Sequence, residues 1–330
     1  MIQYSIILVN YKSTDLLLNC LKTIPAKDVG QYEIIVVDNA SKDNGKSRVI
    51  ALCSSVKWIE MGYNSGFARA NNAGMRAATG NVFLLLNTDT LIIEDAIDEC
   101  YNRLQQSNHI AAGVQLLNPD GTTQISGNFF MKGGINHLLA LPALGQVLRR
   151  LGILMKVKKT HVPEASTEEI VDWINGAFLM VKREAVEKAG LLDEDFFLFS
   201  EEIEWCYRLG KQGTMVIYGD LRVTHLMGGT VTQTYNTKNR GYNQLSDRKG
   251  LQLIVSGWLR IKKQFGTGWL LFHAVAYWTS IVCFFLICLL PGRHYGQRWM
   301  TFFGFTGNVV RATCLLPRII YGKPYFYKII

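Results

Sequence analysis

The sequence predicts an α/β fold with a mostly parallel β-sheet flanked by helices, followed by helices that associate with a membrane. In the N-terminal third, short apolar runs alternate with amphipathic stretches, which is typical of strands buried on both faces and separated by helices. From residue 238 onward the chain is basic and apolar instead. We therefore expect two domains, residues 1–237 and residues 238–330.

The strands and helices of the first domain follow from side-chain periodicity. Runs of Val, Ile and Leu indicate strands, and apolar residues spaced three and four apart, such as Leu17, Cys20 and Leu21, indicate helices. The predicted strands cover residues 5–9, 33–37, 56–59 and 81–86, and the predicted helices cover residues 15–23, 68–78 and 94–106.

Polar residues follow each of the four predicted strands. Ligands of parallel sheets bind beyond the carboxyl ends of the strands, so we expect these residues to meet at one edge of the sheet. No GxGxxG motif follows the first strand and no GxxxxGK[ST] motif occurs, which argues against a dinucleotide oxidoreductase and a P-loop phosphotransferase. The polar residues are Asn10 and Tyr11, Asp38 and Asn39, Asn64, and Asn87 with Asp89.

The stretch Leu86–Thr90, LNTDT, ends an apolar strand without Gly or Pro. A carboxylate in this position can bind a divalent cation and leave coordination sites free for diphosphate oxygens and water. The neutral Asn87 suits a site in which phosphates supply most of the negative charge, whereas an Asx turn is the alternative explanation. His225 follows a later strand-like run and can complete a metal site, although a lone histidine is more often structural.

The segment 196–208, FFLFSEEIEWCYR, places three glutamates behind an aromatic run. Ser200 can cap a helix and acids stabilise its first turn, so the glutamates have a structural explanation. The alternative is functional. Apolar surroundings raise the pKa of a carboxyl group, which can then act as a general base toward a hydroxyl.

The C-terminal region combines positive charge with long apolar segments. It holds 13 Lys and Arg residues and one acid, Asp247, whereas the preceding 237 residues hold 22 basic and 25 acidic residues. Such charge suits nucleic acid or anionic lipid, and the apolarity favours an anionic membrane surface over nucleic acid. Residues 269–290 carry no formal charge and are long enough to span a bilayer. A buried helical hairpin of a soluble protein is the alternative.

Two further segments have a membrane-like composition. Residues 299–316 are apolar but include Arg311, which suits an interfacial helix or the return helix of a hairpin. Residues 144–159 form either a solvated insertion or a second contact with the membrane surface. The seven cysteines include no CxxC pair and no signal peptide is visible, so we expect a reduced body at the cytoplasmic face of the membrane.

Five segments together resemble the motifs of family 2 inverting glycosyltransferases, and most of all those of the rhamnosyltransferase-like branch. They occur in the family's order and at similar spacing between residues 3 and 235. The resemblance implies a GT-A fold with a Rossmann-like sheet, a nucleotide-diphosphosugar donor and bound Mg²⁺ or Mn²⁺. The segments are VVDNAS (36–41), NSGFARANNAG (64–74), LLLNTDT (84–90), WINGAFLMVKREAVEKAGLLDEDFF (173–197) and FSEEIEWCYRLGKQG (199–213).

The resemblance also implies roles for individual residues. Asp38 would bind the base or ribose of the nucleotide, and Asn87-Thr88-Asp89 would be this branch's form of the DxD motif. Asp89 would bind the metal, and His225 matches a later position that contacts metal or diphosphate. Asn10, Tyr11, Asn39 and Asn64 would line the nucleotide pocket, and Trp173, Asn175, Gly176 and Trp205 would line the pocket for sugar and acceptor.

The implied reaction is a single displacement with inversion. The family's Glu-Asp motif matches Glu201-Glu202, so Glu202 would deprotonate the acceptor hydroxyl, with Glu201 as its neighbour. The second residue is Asp in the family and Glu in this chain, and the Glu side chain is one methylene longer. Which of the two acids points at the acceptor therefore stays open. By analogy the donor is dTDP-rhamnose and the acceptor a lipid-linked saccharide, as in O-antigen or other cell-surface polysaccharide synthesis. The sequence also leaves open whether the protein forms a homo-oligomer.

Two other functions stay open. A sugar nucleotidyltransferase uses a similar sheet and metal, but it would release pyrophosphate and would need no base at Glu202. A non-catalytic membrane adaptor with a degenerate GT-A fold is disfavoured by the intact Asp38, Asp89 and Glu202, although the departures from the family pattern at Asn87 and Glu202 leave it open.

Overall fold

A computed structural model describes residues 2–25, 31–157, 160–165, 167–226, 245–291 and 295–329. The chain divides into two compact units. Unit 1 comprises Met1–Phe129, His161–Glu194 and Trp205–Arg240, and unit 2 comprises Phe130–Thr160, Asp195–Glu204 and Gly241–Ile330. The domain boundary predicted between residues 237 and 238 lies outside the described residues and stays a prediction.

Unit 1 is built on a nine-stranded sheet. Its strand order is β3-β2-β1-β4-β11-β6-β12-β5, with β9 paired to β12, and β10-β7-β8 form a second, small sheet. The strands are β1 Tyr4–Asn10, β2 Tyr32–Asp38, β3 Lys57–Glu60, β4 Val82–Leu86, β5 Thr90–Ile92, β6 Ala111–Leu117, β7 Gly127–Asn128, β8 His161–Val162, β9 Glu169–Val171, β10 Trp173–Ile174, β11 Phe178–Lys182 and β12 Met215–His225.

Helices flank this sheet in unit 1 and make up most of unit 2. A 3₁₀ segment, Lys132–Ala140, precedes α5. The described helices are α1 Thr14–Thr23, α2 Gly45–Leu52, α3 Gly66–Ala77, α4 Ala96–Gln106, α5 Leu144–Leu154, α6 Arg183–Ala189, α7 Glu201–Leu209, α8 Arg248–Phe265, α9 Thr267–Cys288 and α10 Tyr295–Tyr321.

The predicted α/β fold is confirmed, and its sheet is mixed. β1 is parallel to β2 and β4, and β2 is parallel to β3, as predicted. β11 instead runs antiparallel to both β4 and β6. Side-chain periodicity identifies a strand but not its direction, because the direction depends on which distant strand it pairs with.

The central strands are buried on both faces, which explains their continuous apolar sequence. Successive side chains of β1, such as Ile6, Ile7 and Leu8, point to opposite faces, and none of the three is exposed. α3 packs closely on this strand, since a side chain at Gly74 would collide with Ile7. This layer holds the carboxyl ends of β1, β2 and β4 in fixed positions.

Unit 2 has its own core. Trp258 of α8 packs edge-on against Tyr277 of α9, and Tyr277 stacks on Phe305 of α10. Asp247 caps α8 by accepting a hydrogen bond of 2.7 Å from the Gly250 N–H. These three helices therefore form an apolar bundle, and the predicted segment 299–316 lies within α10.

Among the described residues, α9 is the helix long and apolar enough to cross a membrane. One of its faces, which includes Leu270 and Tyr277, is buried in unit 2. The other face exposes Val275 (65%), Val282 (60%) and Leu286 (58%). α9 thus lacks the polar outer face that is usual for a surface helix in water.

Candidate active site

Side chains at the carboxyl ends of β1, β2 and β3 form one hydrogen-bond network in unit 1. Asn10 Nδ2 donates to Asp38 Oδ1 over 3.0 Å, and Asn39 Nδ2 donates to Asn64 Oδ1 over 3.0 Å. The Asn39 N–H also donates to Asn10 O over 2.8 Å. Tyr11 follows Asn10 directly and is partly exposed. The structure therefore brings together the five residues predicted to hold the nucleotide.

The carboxylate of Asp38 accepts hydrogen bonds from this network and can accept more. Its Oδ2 accepts the Ser41 N–H over 3.1 Å, and its Oδ1 accepts from Asn10. Each carboxylate oxygen can accept a second hydrogen bond. Because Asp38 is only partly buried, a ribose hydroxyl or a base N–H can reach it.

A tight turn over residues 87–89 connects β4 to β5. The Thr90 N–H and Oγ1 both donate to Asn87 O, over 3.3 and 2.8 Å. Thr88 Oγ1 lies 3.1 Å from Ser13 Oγ, which joins this loop to the loop after β1. Hydrogen bonds to hydroxyl groups thus close a turn that contains neither Gly nor Pro, and they leave Asp89 buried at 5% exposure.

The predicted metal ligands Asp89 and His225 lie side by side. β12 pairs antiparallel with β5 and places His225 opposite Thr90, so that Nε2 of His225 lies 3.3 Å from Asp89 Oδ1. A carboxylate oxygen and an imidazole nitrogen are suitable ligands for a divalent cation. No cluster of three or more His, Cys, Asp or Glu residues occurs in the described chain.

The chain that follows two of the residues predicted for the sugar pocket, Asn175 and Gly176, contacts this turn. Asn175 and Gly176 lie between β10 and β11, and the Asn87 N–H donates to Ala177 O over 3.0 Å. Trp173 is partly buried on β10. Trp205 has no exposed surface, and its Nε1 donates to Gly190 O over 2.8 Å. Because Trp205 is a core residue with a satisfied N–H, we do not include it in the proposed pocket.

The predicted acid pair begins α7 and belongs to unit 2. Phe199 and Ser200 before it have left-handed φ angles of 71° and 68°, which is strained for side chains of this kind. Glu201 is 3% exposed, and within the described chain its Oε2 has no hydrogen-bond partner. Glu202 is only partly buried. The two carboxyl groups therefore have different environments.

These environments separate the pKa values of the two acids. Burial raises the pKa of Glu202 to about 6, and the positive charge of Arg260 limits the rise. Burial and the neighbouring charge of Glu202 raise the pKa of Glu201 well above its usual value. The protonated form is therefore favoured more strongly at Glu201 than at Glu202, and Glu202 is the acid better suited to accept a proton.

The structure also identifies residues that the sequence patterns missed. Arg260 of α8 is 2% exposed. Burial lowers its pKa to about 10, and the negative charge of Glu202 limits this decrease. Burial and the charge of Arg260 hold the pKa of His137 well below its usual value. Gln124 contacts His225 in unit 1. An arginine among the apolar residues of α8 could have been recognised in the sequence as unusual. His137 and Gln124 stand in no pattern that would have singled them out.

Comparison with known proteins finds similar glycosyltransferases. Residues 5–153 match the model of the family described as Glycosyl transferase family 2. The chain is 27% identical over 287 residues to a low-salt glycan biosynthesis hexosyltransferase of Haloferax volcanii, across 79% of this chain and 84% of that protein. It is 23% identical over 202 residues to an N-acetylglucosaminyl-diphospho-decaprenol L-rhamnosyltransferase of Mycobacterium tuberculosis, across 56% of this chain and 63% of that protein.

Solved structures share the fold. A mannosyltransferase of Pyrobaculum calidifontis, determined in complex with GDP-mannose and Mn²⁺, superimposes with a TM-score of 0.55 at 14% identity and covers 96% of this chain and 87% of its own. At this identity the likeness concerns the fold, which is of the GT-A type. The motif order agrees with the family match, and residues 5–153 of this chain carry a glycosyltransferase family 2 domain.

Proposed function

We propose that this protein is a metal-dependent inverting glycosyltransferase of glycan biosynthesis. It transfers a sugar, with rhamnose as our choice, from a nucleotide-diphosphosugar to a hydroxyl of a lipid-linked saccharide. The observation that carries the proposal is the Asp89–His225 pair, 3.3 Å apart, at the end of β4 and beside the network that includes Asp38. The name of the mycobacterial relative, with its diphospho-decaprenol acceptor and rhamnosyl group, supports the choice of sugar and acceptor.

Each residue has a defined task in this reaction. Asp38 and its amide neighbours bind the nucleoside, and Asp89 with His225 binds Mg²⁺ or Mn²⁺. A cation held there would stabilise negative charge on the departing nucleoside diphosphate. Glu202 accepts the proton of the acceptor hydroxyl, whose oxygen attacks the anomeric carbon while the bond to the diphosphate breaks.

A thermal-shift screen tests the donor. Purified protein is heated with Mg²⁺ or Mn²⁺ and UDP, dTDP, GDP or their sugar conjugates, and binding to the folded state raises Tm. We expect metal-dependent stabilisation by dTDP and dTDP-rhamnose. Preference for UDP or GDP would change the donor, and no stabilisation by any nucleotide would favour the adaptor. Release of pyrophosphate in place of nucleoside diphosphate would identify a nucleotidyltransferase.

We also propose that unit 2 binds an anionic membrane at the cytoplasmic face. The exposed apolar face of α9 supports this, and so does α5. Ile153, Leu154 and Met155 at the end of α5 are 77%, 78% and 75% exposed, and no acid occurs between residues 144 and 157. Large exposed apolar surfaces mark membrane or protein contacts, and the basic residues nearby favour anionic lipid. Lys158 and Lys159, at the end of the predicted segment, lie outside the described residues.

Vesicle flotation of the full chain tests the membrane contact. We expect the triple variant V275S/V282S/L286S to lose about tenfold or more of its binding to phosphatidylglycerol vesicles, because these side chains no longer enter the apolar phase. The matched control is I50S/L52S on α2 of unit 1, where the side chains are 41% and 43% exposed. Equal flotation of the triple variant and the control would refute a lipid contact through α9.

A further inference from the structure

The imidazole of His225 contacts an amide side chain through Nδ1, the ring nitrogen that does not face Asp89. His225 Nδ1 lies 3.0 Å from Gln124 Oε1, and both residues are buried in unit 1. Gln124 itself is anchored by its backbone: its N–H donates to Leu116 O over 2.8 Å, and its carbonyl oxygen accepts from Gln115 Nε2 over 2.9 Å. The partner of Nδ1 therefore has a fixed position.

The orientation of the Gln124 amide group follows from its surroundings. Its Nε2 lies 3.1 Å from Leu117 O and 2.7 Å from His225 O, and 2.9 Å from Asn118 Oδ1. The two backbone carbonyls only accept hydrogen bonds, so the NH₂ group must face them. An inverted amide would place its oxygen against these carbonyl oxygens. Oε1 therefore faces His225 and accepts a hydrogen bond from it.

This orientation determines which ring nitrogen of His225 carries the proton. Because Gln124 Oε1 only accepts, Nδ1 must be the N–H donor, and in a neutral imidazole Nε2 then keeps its lone pair. That lone pair faces Asp89 Oδ1 at 3.3 Å, which also offers only lone pairs when ionised. Two such atoms at this distance are a binding site for a cation.

We propose that Gln124 is a positioning residue, which holds His225 in its Nδ1–H form and directs Nε2 together with Asp89 toward the divalent cation. The inference rests on the metal assignment of the proposed function. It adds a residue that touches neither sugar, nucleotide nor metal. The contact spans 101 positions of sequence, so local patterns do not reveal it.

The first test is Mn²⁺ affinity, measured from the free-ion EPR signal on purified full-length protein. Gln124→Met keeps a similar length but removes the acceptor, and we expect Mn²⁺ binding to weaken about 10-fold to 100-fold. Gln124→Glu keeps an oxygen acceptor toward Nδ1, but its second oxygen faces Leu117 O and His225 O, so we expect a lower Tm while the folded protein keeps most of the Mn²⁺ affinity. A purely structural role predicts a lower Tm for both variants with unchanged Mn²⁺ affinity of the folded protein, which would refute the inference.

The second test needs no change at Gln124. Long-range ¹H–¹⁵N NMR of the metal-free protein at alkaline pH distinguishes the two tautomers of a neutral imidazole. A His225→Asn variant assigns the signal among the six histidines. We expect the Nδ1–H form, and an Nε2–H signal would overturn the inference. If wild-type protein binds no Mn²⁺ but shows the Nδ1–H form, the metal assignment fails while the tautomer assignment stands.

Discussion

Replacing Glu202 with Gln is expected to reduce sugar transfer about 10²-fold to 10⁴-fold, which is the usual contribution of a general base. The amide has nearly the shape of the carboxylate but cannot take the acceptor proton. We therefore expect donor binding in the thermal-shift assay to stay at its wild-type level. Single-turnover release of nucleoside diphosphate in the presence of acceptor measures the effect.

The companion variant Glu201→Gln separates the two acids. Glu201 is buried, and burial raises its pKa well above the usual value, which favours the neutral form that an amide resembles. We expect transfer to stay within a few-fold of the wild-type rate, a much smaller loss than for Glu202→Gln. If Glu201→Gln abolishes transfer and Glu202→Gln does not, the base is the other acid.

The same assignment determines the pH dependence. A base with a pKa of about 6 is mostly ionised at pH 7 and becomes protonated as the pH falls. Transfer should therefore rise through about pH 6 and lose about tenfold for each further pH unit below it. Wild-type protein should show this decrease in rate at acid pH, and the residual activity of Glu202→Gln should not. If the variant still loses activity at acid pH, the titrating group is not Glu202.

Replacing Asp89 with Asn is expected to abolish metal-dependent turnover. The substitution keeps the size of the side chain but removes the negative charge beside His225 Nε2. Loss of the cation removes several kcal/mol of charge stabilisation on the leaving group, which corresponds to about 10³-fold in rate. Stabilisation of the protein by Mn²⁺ with nucleoside diphosphate should disappear together with the rate.

The control for Asp89→Asn is Asp120→Asn, which changes an exposed acid in the loop after β6 and should leave turnover unchanged. Chelation provides an independent check on wild-type protein. Near-normal transfer in excess EDTA would contradict the metal role of Asp89 and His225, whatever the variant does.

The first half of the fold was predictable because its signals are local. A helix was predicted over residues 15–23 and α1 covers Thr14–Thr23, while a strand was predicted over residues 33–37 and β2 covers Tyr32–Asp38. Burial of β1, β2 and β4 on both faces makes their sequences continuously apolar. The clustering of Asn10, Asp38 and Asn64 followed from the rule that parallel strands present their carboxyl ends at one edge.

Other features depend on contacts between distant residues. Trp205 looked like a pocket residue beside the acid pair, but its side chain packs into the core and its N–H is satisfied by Gly190 O, which the sequence pattern does not reveal. The direction of β11 follows from its insertion between β4 and β6. Arg260 acts on Glu202 across 58 positions of the chain, and no periodicity encodes such a pairing.

By itself, the sequence determined the α/β class, the polar strand ends and the basic, apolar C-terminal helices, because hydrophobic periodicity and charge are properties of short segments. Only the tertiary structure decided that Asp89 meets His225, that Gln124 orients this histidine and that Glu201 and Glu202 differ in burial. Ligand geometry and pKa depend on atoms brought together through space, and β12 supplies His225 to the turn after β4 from more than a hundred residues away.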